Sequence, residues 1–250
     1  MSKKEKNFSR RDFLKTSGIA TGALIGGGII GGLITANTRT GTQNGQLTPD
    51  QETGETAAPG GVRGLVFFTN NAEFEILAQA TERIFPEDDL GPGAIGLGVP
   101  YFIDRQLSGS YGENSKEYMQ PPFFPGEVTQ GYQSRLRRNE MFRQGIDIMQ
   151  QEAQSRFDAN FVDLDGEQMD EILTAFQDDE IEMKGVTSLF FFRLLRMATL
   201  EGAYADPIYG GNQGMEGWKM KDFPGHQLAY INEMESEEFV EIEPQSLGDH

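Results

Sequence analysis

Between residues 187 and 201 the chain carries Leu189, Phe190, Phe191, Phe192, Leu194, Leu195, Met197, Ala198 and Leu200, with Arg193, Arg196 and Glu201 as its only charges. A helix this apolar on nearly every side is expected to be buried almost all round. Its two arginines and its short length argue against a membrane span. Thr187 stands where an N-cap belongs. The other candidate elements are also helical. Phe74, Leu77, Ala78, Thr81, Ile84 and Phe85 recur at helical spacing, with Thr69 or Asn71 as cap and Pro86 as stop. Pro100 opens a short helix through Leu107, with Phe102, Ile103 and Leu107 as its apolar contacts. Phe142, Ile146, Met149, Ala153 and Phe157 form the cleanest stripe in the chain. Asp165 and Gln168 make a capping box ahead of Met169, Ile172, Leu173 and Phe176. Strand signals are weak and no repeat is visible. The expected fold is all-α: a small helical domain with long ordered loops rich in Gly, Pro and aromatic residues.

Composition narrows what such a domain can do. The whole chain carries a net charge of −18, and residues 1–36 hold six Lys or Arg against two Asp or Glu, so residues 37–250 carry −22. That acidity repels phosphate backbones and argues against nucleic acid as a partner. The sequence contains no cysteine, which removes disulfides, thiolate metal sites, cysteine-held iron–sulfur clusters, haem attached through Cys-x-x-Cys-His and lipid anchoring on cysteine. Its two histidines are His226 and His250. A di-iron bundle built on Glu-x-x-His pairs therefore cannot be assembled, and a Ser-His-Asp triad would have to use His226, which follows the Pro224-Gly225 turn.

The N-terminus supplies the targeting motif. Ser9, Arg10, Arg11, Asp12, Phe13, Leu14 and Lys15 fill every position of a twin-arginine export signal, and an uncharged stretch follows. Residues 19–36 contain 18 uncharged residues, six of them glycine, on the border between a signal core and a membrane span. Ile34-Thr35-Ala36 is a passable cleavage site, with retention as an N-terminal anchor as the alternative. The boundaries read as a signal or anchor over 1–36, a flexible linker over 37–64, a helical domain over 65–225 and an acidic tail over 226–250. Such signals serve proteins that fold in the cytoplasm, so the expected location is periplasmic or at the outer face of the cytoplasmic membrane.

Several motifs have a plain structural reading. Gly26-Gly27-Gly28-Ile29-Ile30-Gly31 and Gly91-Pro92-Gly93-Ala94-Ile95-Gly96 both fit GxGxxG. The first lies in the export segment, and the second follows Pro86-Glu87-Asp88-Asp89 instead of a buried strand, so neither makes a dinucleotide site. The clusters Glu87-Asp88-Asp89 and Asp178-Asp179-Glu180 read as solvated helix ends, because no loop spaces oxygen ligands as a calcium site requires. Acidic residues abound, but nothing singles out a glycosidase pair.

The remaining candidate is the loop over 204–225, which holds the only tryptophan of the chain. Tyr204, Asp206, Pro207, Tyr209, Gly210, Gly211, Asn212, Trp218 and Phe223 are its candidate partner-interface residues. Aromatic rings on a glycine-shaped loop are what interfaces use as anchors. They are equally what a loop uses to tuck onto its own core, and both readings stand at this point.

At these residues the chain resembles the small-subunit family of flavin-dependent gluconate 2-dehydrogenases, also called subunit 3 or the gamma chain. The match continues in Phe67-Phe68-Thr69, in residues 80–86, in Tyr101, Ile103-Asp104 and Gln106-Leu107, and in Gly131-Tyr132-Gln133. It spans about residues 65–225, with the element around Asp206-Pro207 and Gly210-Gly211-Asn212 as its most specific part; the linker and the acidic tail lie outside it. The resemblance implies a non-catalytic partner of a large FAD-containing flavoprotein, which often passes electrons to a multihaem cytochrome c. It also implies that the flavoprotein travels folded with the small subunit through the twin-arginine translocase. No catalytic, cofactor-binding or metal-binding residue is assigned to this chain. Two other classes stay open: a stand-alone exported hydrolase using acidic residues, and a tethered structural or solute-binding surface protein. A flavoprotein reading frame beside this one favours the first reading, and activity of the isolated chain favours the hydrolase.

Overall fold

The computed structural model describes residues 64–124, 126–127, 133–231, 233–238 and 240–249. The twin-arginine residues Ser9, Arg10, Arg11, Phe13, Leu14 and Lys15, the linker up to residue 63, and Gly131 and Tyr132 lie outside the described residues. Those described are helical, with two isolated β-bridges and no strand among them. The helices are α1 (Asn71–Ile84), α2 (Val99–Ser108), α3 (Arg138–Phe157), α4 (Gly166–Gln177), α5 (Ser188–Tyr204) and the short α6 (Glu216–Lys219). All-α is therefore the observed class.

Helices α1, α4 and α5 start where short polar side chains satisfy their first amides. Asp165 accepts from the Gln168 amide at 2.9 Å while Gln168 Oε1 accepts from the Asp165 amide at 3.1 Å, the reciprocal box expected of that pair. Thr187 Oγ1 accepts from the Phe190 amide at 3.1 Å, as expected of a cap. One expectation is corrected. The cap of α1 is Asn70, between the two residues anticipated, because its Oδ1 reaches the Ala72 amide at 3.0 Å. A second cap on α5 comes from a distance: Asp179, at φ 60°, accepts from the Leu189 amide and from the Ser188 hydroxyl, each at 3.1 Å.

Helix α5 packs against α1, α2, α3 and α4. Its exposed positions are Arg193, Met197 and Glu201, spaced by four, so a single narrow stripe reaches water and the remaining faces are covered to differing degrees. Phe191 is its centre, set edge-on to Phe142 at 5.7 Å between ring centroids and tilted against Phe176 at 5.5 Å. Aromatic pairs in these geometries add to the roughly 1.5–3 kcal/mol gained by burying each ring. The Phe191 ring lies so close over Gly145 of α3 that a Cβ there would collide with it.

Two buried carboxylates tie elements together. Asp104 of α2 is almost wholly enclosed and accepts three backbone amides, from Val66 at 2.7 Å, Phe67 at 3.0 Å and Phe68 at 2.9 Å. The start of the described chain is thereby fixed to α2. Asp170 of α4 takes a two-pronged pair from Arg83 of α1, at 2.9 Å from Nε and 2.7 Å from Nη2. The connection after α2 is fastened to α3 by Arg137 on Glu113, Arg138 Nη2 on Glu117 at 2.7 Å and Asn139 on Glu113 at 2.8 Å.

Candidate functional site

The last four carbonyls of a helix have no partner inside it. At the end of α5 the chain meets this need with the loop that follows. Asn212 Nδ2 donates to the Ala205 carbonyl at 2.9 Å, and Trp218 Nε1 donates to the Tyr204 carbonyl at 2.8 Å. Asn212 Oδ1 also accepts from the Gly217 amide at 2.8 Å, so one side chain holds both limbs of the loop. Asn212 adopts the left-handed conformation at φ 46°, which Asn tolerates better than most residues.

The glycines let this loop lie flat on the helix end. A Cβ on Gly211 would collide with the Gly202 carbonyl oxygen, and one on Gly217 with the Ala203 carbonyl oxygen. Gly210 turns the chain at φ 97°. The Gly210-Gly211-Asn212 and Gly217-Trp218 signatures therefore have a physical origin: they are a capping apparatus for α5.

The nine candidate interface residues divide accordingly. Gly210, Gly211, Asn212 and Trp218 are buried within this chain, Trp218 to 6% exposure. The Trp218 ring packs edge-on to Phe223 at 5.4 Å and lies against Gly225. Of the two readings of Trp218, the structure shows the inward one, in which the indole supports the loop. Tyr204 is half-buried, its ring edge-on to Phe85 at 5.9 Å and beneath the Lys221 ammonium at 4.6 Å. Pro207 opens a 3₁₀ turn, Pro207–Tyr209, capped by Asp206. The outward-facing members are Tyr209, 52% exposed, and Phe223, 48% exposed. Ile208, exposed beside Tyr209, was not among the sequence candidates. As a lone aliphatic residue in a turn it gives no sequence signal.

Asp206 is a junction. Its Oδ1 accepts from the Ile208 amide at 3.0 Å and the Ser246 hydroxyl at 2.8 Å, and its Oδ2 accepts from the Leu247 amide at 2.8 Å. Burial pushes its carboxyl upward, but the Leu247 and Ile208 amides, the Ser246 hydroxyl and the charge of nearby His226 outweigh this and hold it below the ordinary value of 3.8. The C-terminal tail thus returns to the loop that the sequence singled out.

The other motifs settle into structural roles. In the second GxGxxG match, the Ile95 amide donates to Glu82 Oε2 at 2.8 Å, and Gly93 is pressed against the same carboxylate. An internal acid occupies the side of the turn where an anion would bind. Asp179 of the second acidic cluster is engaged as the α5 cap described above. Among the described residues no group of three or more His, Cys, Asp or Glu could hold a metal ion. A polar cleft of about 500 Å³ opens between Phe67, Leu107, Glu113, Arg137 and Arg143. Arg137 there is paired with Glu113, and Arg143 lies over the Phe67 ring at 4.6 Å.

Fold and loop together define a small helical domain whose helix α5, packed against α1, α2, α3 and α4, is closed by a Gly-Gly-Asn and Gly-Trp cap, with exposed apolar side chains beside it. Residues 71–225 match the family described as Gluconate 2-dehydrogenase subunit 3, and the chain belongs to that family. Searches of curated proteins and of solved structures returned no match to this chain.

Proposed function

We propose that this chain is the non-catalytic small subunit of a dehydrogenase complex: it binds a large FAD-containing flavoprotein, accompanies it through the twin-arginine translocase and stabilises it at the outer face of the cytoplasmic membrane. The flavoprotein oxidises gluconate or a related sugar or polyol and hands electrons to an acceptor such as a multihaem cytochrome c. The observation that carries this reading is family membership over residues 71–225. Two sequence facts support it. The motif from Ser9 to Lys15 is of the kind used for folded cargo, and a chain without cysteine has no thiolate with which to hold a redox cluster or a covalent haem. A folded-export signal on such a chain serves a cofactor carried by its partner.

Exchange of both signal arginines tests the carrier role. Arg10→Lys with Arg11→Lys keeps the charge but removes the planar guanidinium fork that a receptor reads. In cell fractionation, both this chain and the flavoprotein are expected to remain in the cytoplasm. Normal export of the flavoprotein beside the double variant would refute the carrier role.

A further inference from the structure

The chain is joined across the two ends of residues 226–244 by a narrow neck. The His226 amide donates to the Gln245 carbonyl at 2.8 Å, and the Gln245 amide donates to the Pro224 carbonyl at 3.2 Å. Just beyond, Ser246 and Leu247 are bonded to Asp206, and the turn Leu247–Asp249 packs against Pro207–Tyr209. The segment is thus a long loop with a closed neck, seated on the α5 cap.

What this loop displays is unusual for a solvated segment. Leu228 is 76% exposed, Ile231 73% and Met234 79%, with Tyr230 and Val240 also exposed. At the neck, Ile208, Tyr209, Phe223 and Leu247 are exposed as well. Clustered exposed apolar groups of this kind mark interaction surfaces. The same segment carries Glu233, Glu235, Glu237, Glu238, Glu241 and Glu243, and no Lys or Arg occurs after Lys221.

The charge selects the occupant. A second copy of this chain, at net −18, presents the same acidic loop and is repelled, and an anionic membrane surface is repelled for the same reason. A protein recess that is apolar at its floor and rimmed by Lys and Arg matches both features at once. The closed neck also fixes both ends of the loop beforehand, so less chain entropy is lost on docking than for a free tail.

The geometry points to residues 226–244 as a docking arm that seats in an apolar, Lys/Arg-rimmed recess on the catalytic subunit of the same complex. This rests on the accessory-subunit reading above and goes beyond it, since the arm lies outside the family-matched residues 71–225. Leu228, Ile231 and Met234 are its apolar anchors, and the glutamates steer it and set its register.

The test uses the full chain co-expressed with the flavoprotein subunit, with affinity measured on the separated partners. Changing Leu228, Ile231 and Met234 together to Ser is expected to weaken the complex at least tenfold while leaving the melting temperature of the free chain unchanged. Changing Glu233, Glu235, Glu237 and Glu238 together to Gln is expected to flatten the loss of affinity between about 50 and 500 mM salt. Should the serine variant melt early, the glutamine variant, altered only in charge, decides alone. If the wild-type chain does not bind the flavoprotein at all, the accessory-subunit reading fails and the arm fails with it. If wild type binds and both variants match it in affinity and salt response, the arm alone is overturned. Arm-dependent dimers in sedimentation, or arm-dependent flotation with phosphatidylcholine vesicles without an effect on the complex, would also overturn it.

Discussion

Trp218 aims its one polar atom at the Tyr204 carbonyl and buries most of the rest, so this residue does two jobs that a smaller one cannot share. Trp218→Ala removes the cap and opens a cavity beneath Phe223 and Gly225. Truncating a buried aromatic costs about 3–5 kcal/mol. Calorimetry on the free subunit is expected to show a melting temperature lower by roughly 10 °C. Unchanged melting with weakened binding to the flavoprotein would reverse this assignment and restore Trp218 as an outward anchor. The sequence left Trp218 poised between these readings for a clear reason. Its hydrogen-bond acceptor is a backbone carbonyl, and a backbone carbonyl has no sequence signature. Tyr209 and Phe223, from the same loop, do face outward, and Asn212 behaves as its residue type suggests, bridging two backbone groups in a left-handed turn.

Among the elements, α1, α3 and α4 were legible because each buries one stripe, which recurs every three or four positions, and α5 because it is apolar on nearly every side. The clean run from Phe142 to Phe157 lies on α3, the Asp165–Gln168 box opens α4, and Thr187 opens α5. Legibility ended where a distant residue acts on an element end. Asp179 capping α5, Asp104 holding the amides of Val66, Phe67 and Phe68, and the tail returning to Asp206 all depend on tertiary proximity that no local pattern encodes. The tail clasp yields a pH prediction. The folded carboxyl of Asp206 titrates below its ordinary value of 3.8, so its contribution is present above that value and lost as pH falls through the lower folded one. Hydrogen exchange at the Leu247 amide is expected to stay slow at pH 5 and to lose protection only once the pH has fallen below 3.8. Asp206→Asn, which keeps one acceptor oxygen and loses the one that holds Leu247, is expected to free the tail at neutral pH. Protection unchanged in that variant would show that the clasp rests on other contacts.

For the whole molecule, the acidic surface and the absence of thiolates frame what the free chain can do. Purified without its partner, it is expected to show no flavin or haem absorbance and no dye-linked dehydrogenase activity, since it carries neither a Cys-x-x-Cys-His haem site nor a glycine-rich turn after a buried strand for a dinucleotide. A stoichiometric visible chromophore in the isolated subunit would overturn that expectation. The placement of Asp104 has a mechanical consequence. Among the described residues, tension applied from the N-terminal side of the chain meets, just past Leu65, the amides of Val66, Phe67 and Phe68, which share one carboxylate set deep in α2. Load entering there passes directly into the packed interior through α2, without first peeling α1 from its neighbours. Three charge-assisted bonds must stretch together before the fold yields, which makes this corner the natural towing point of the domain.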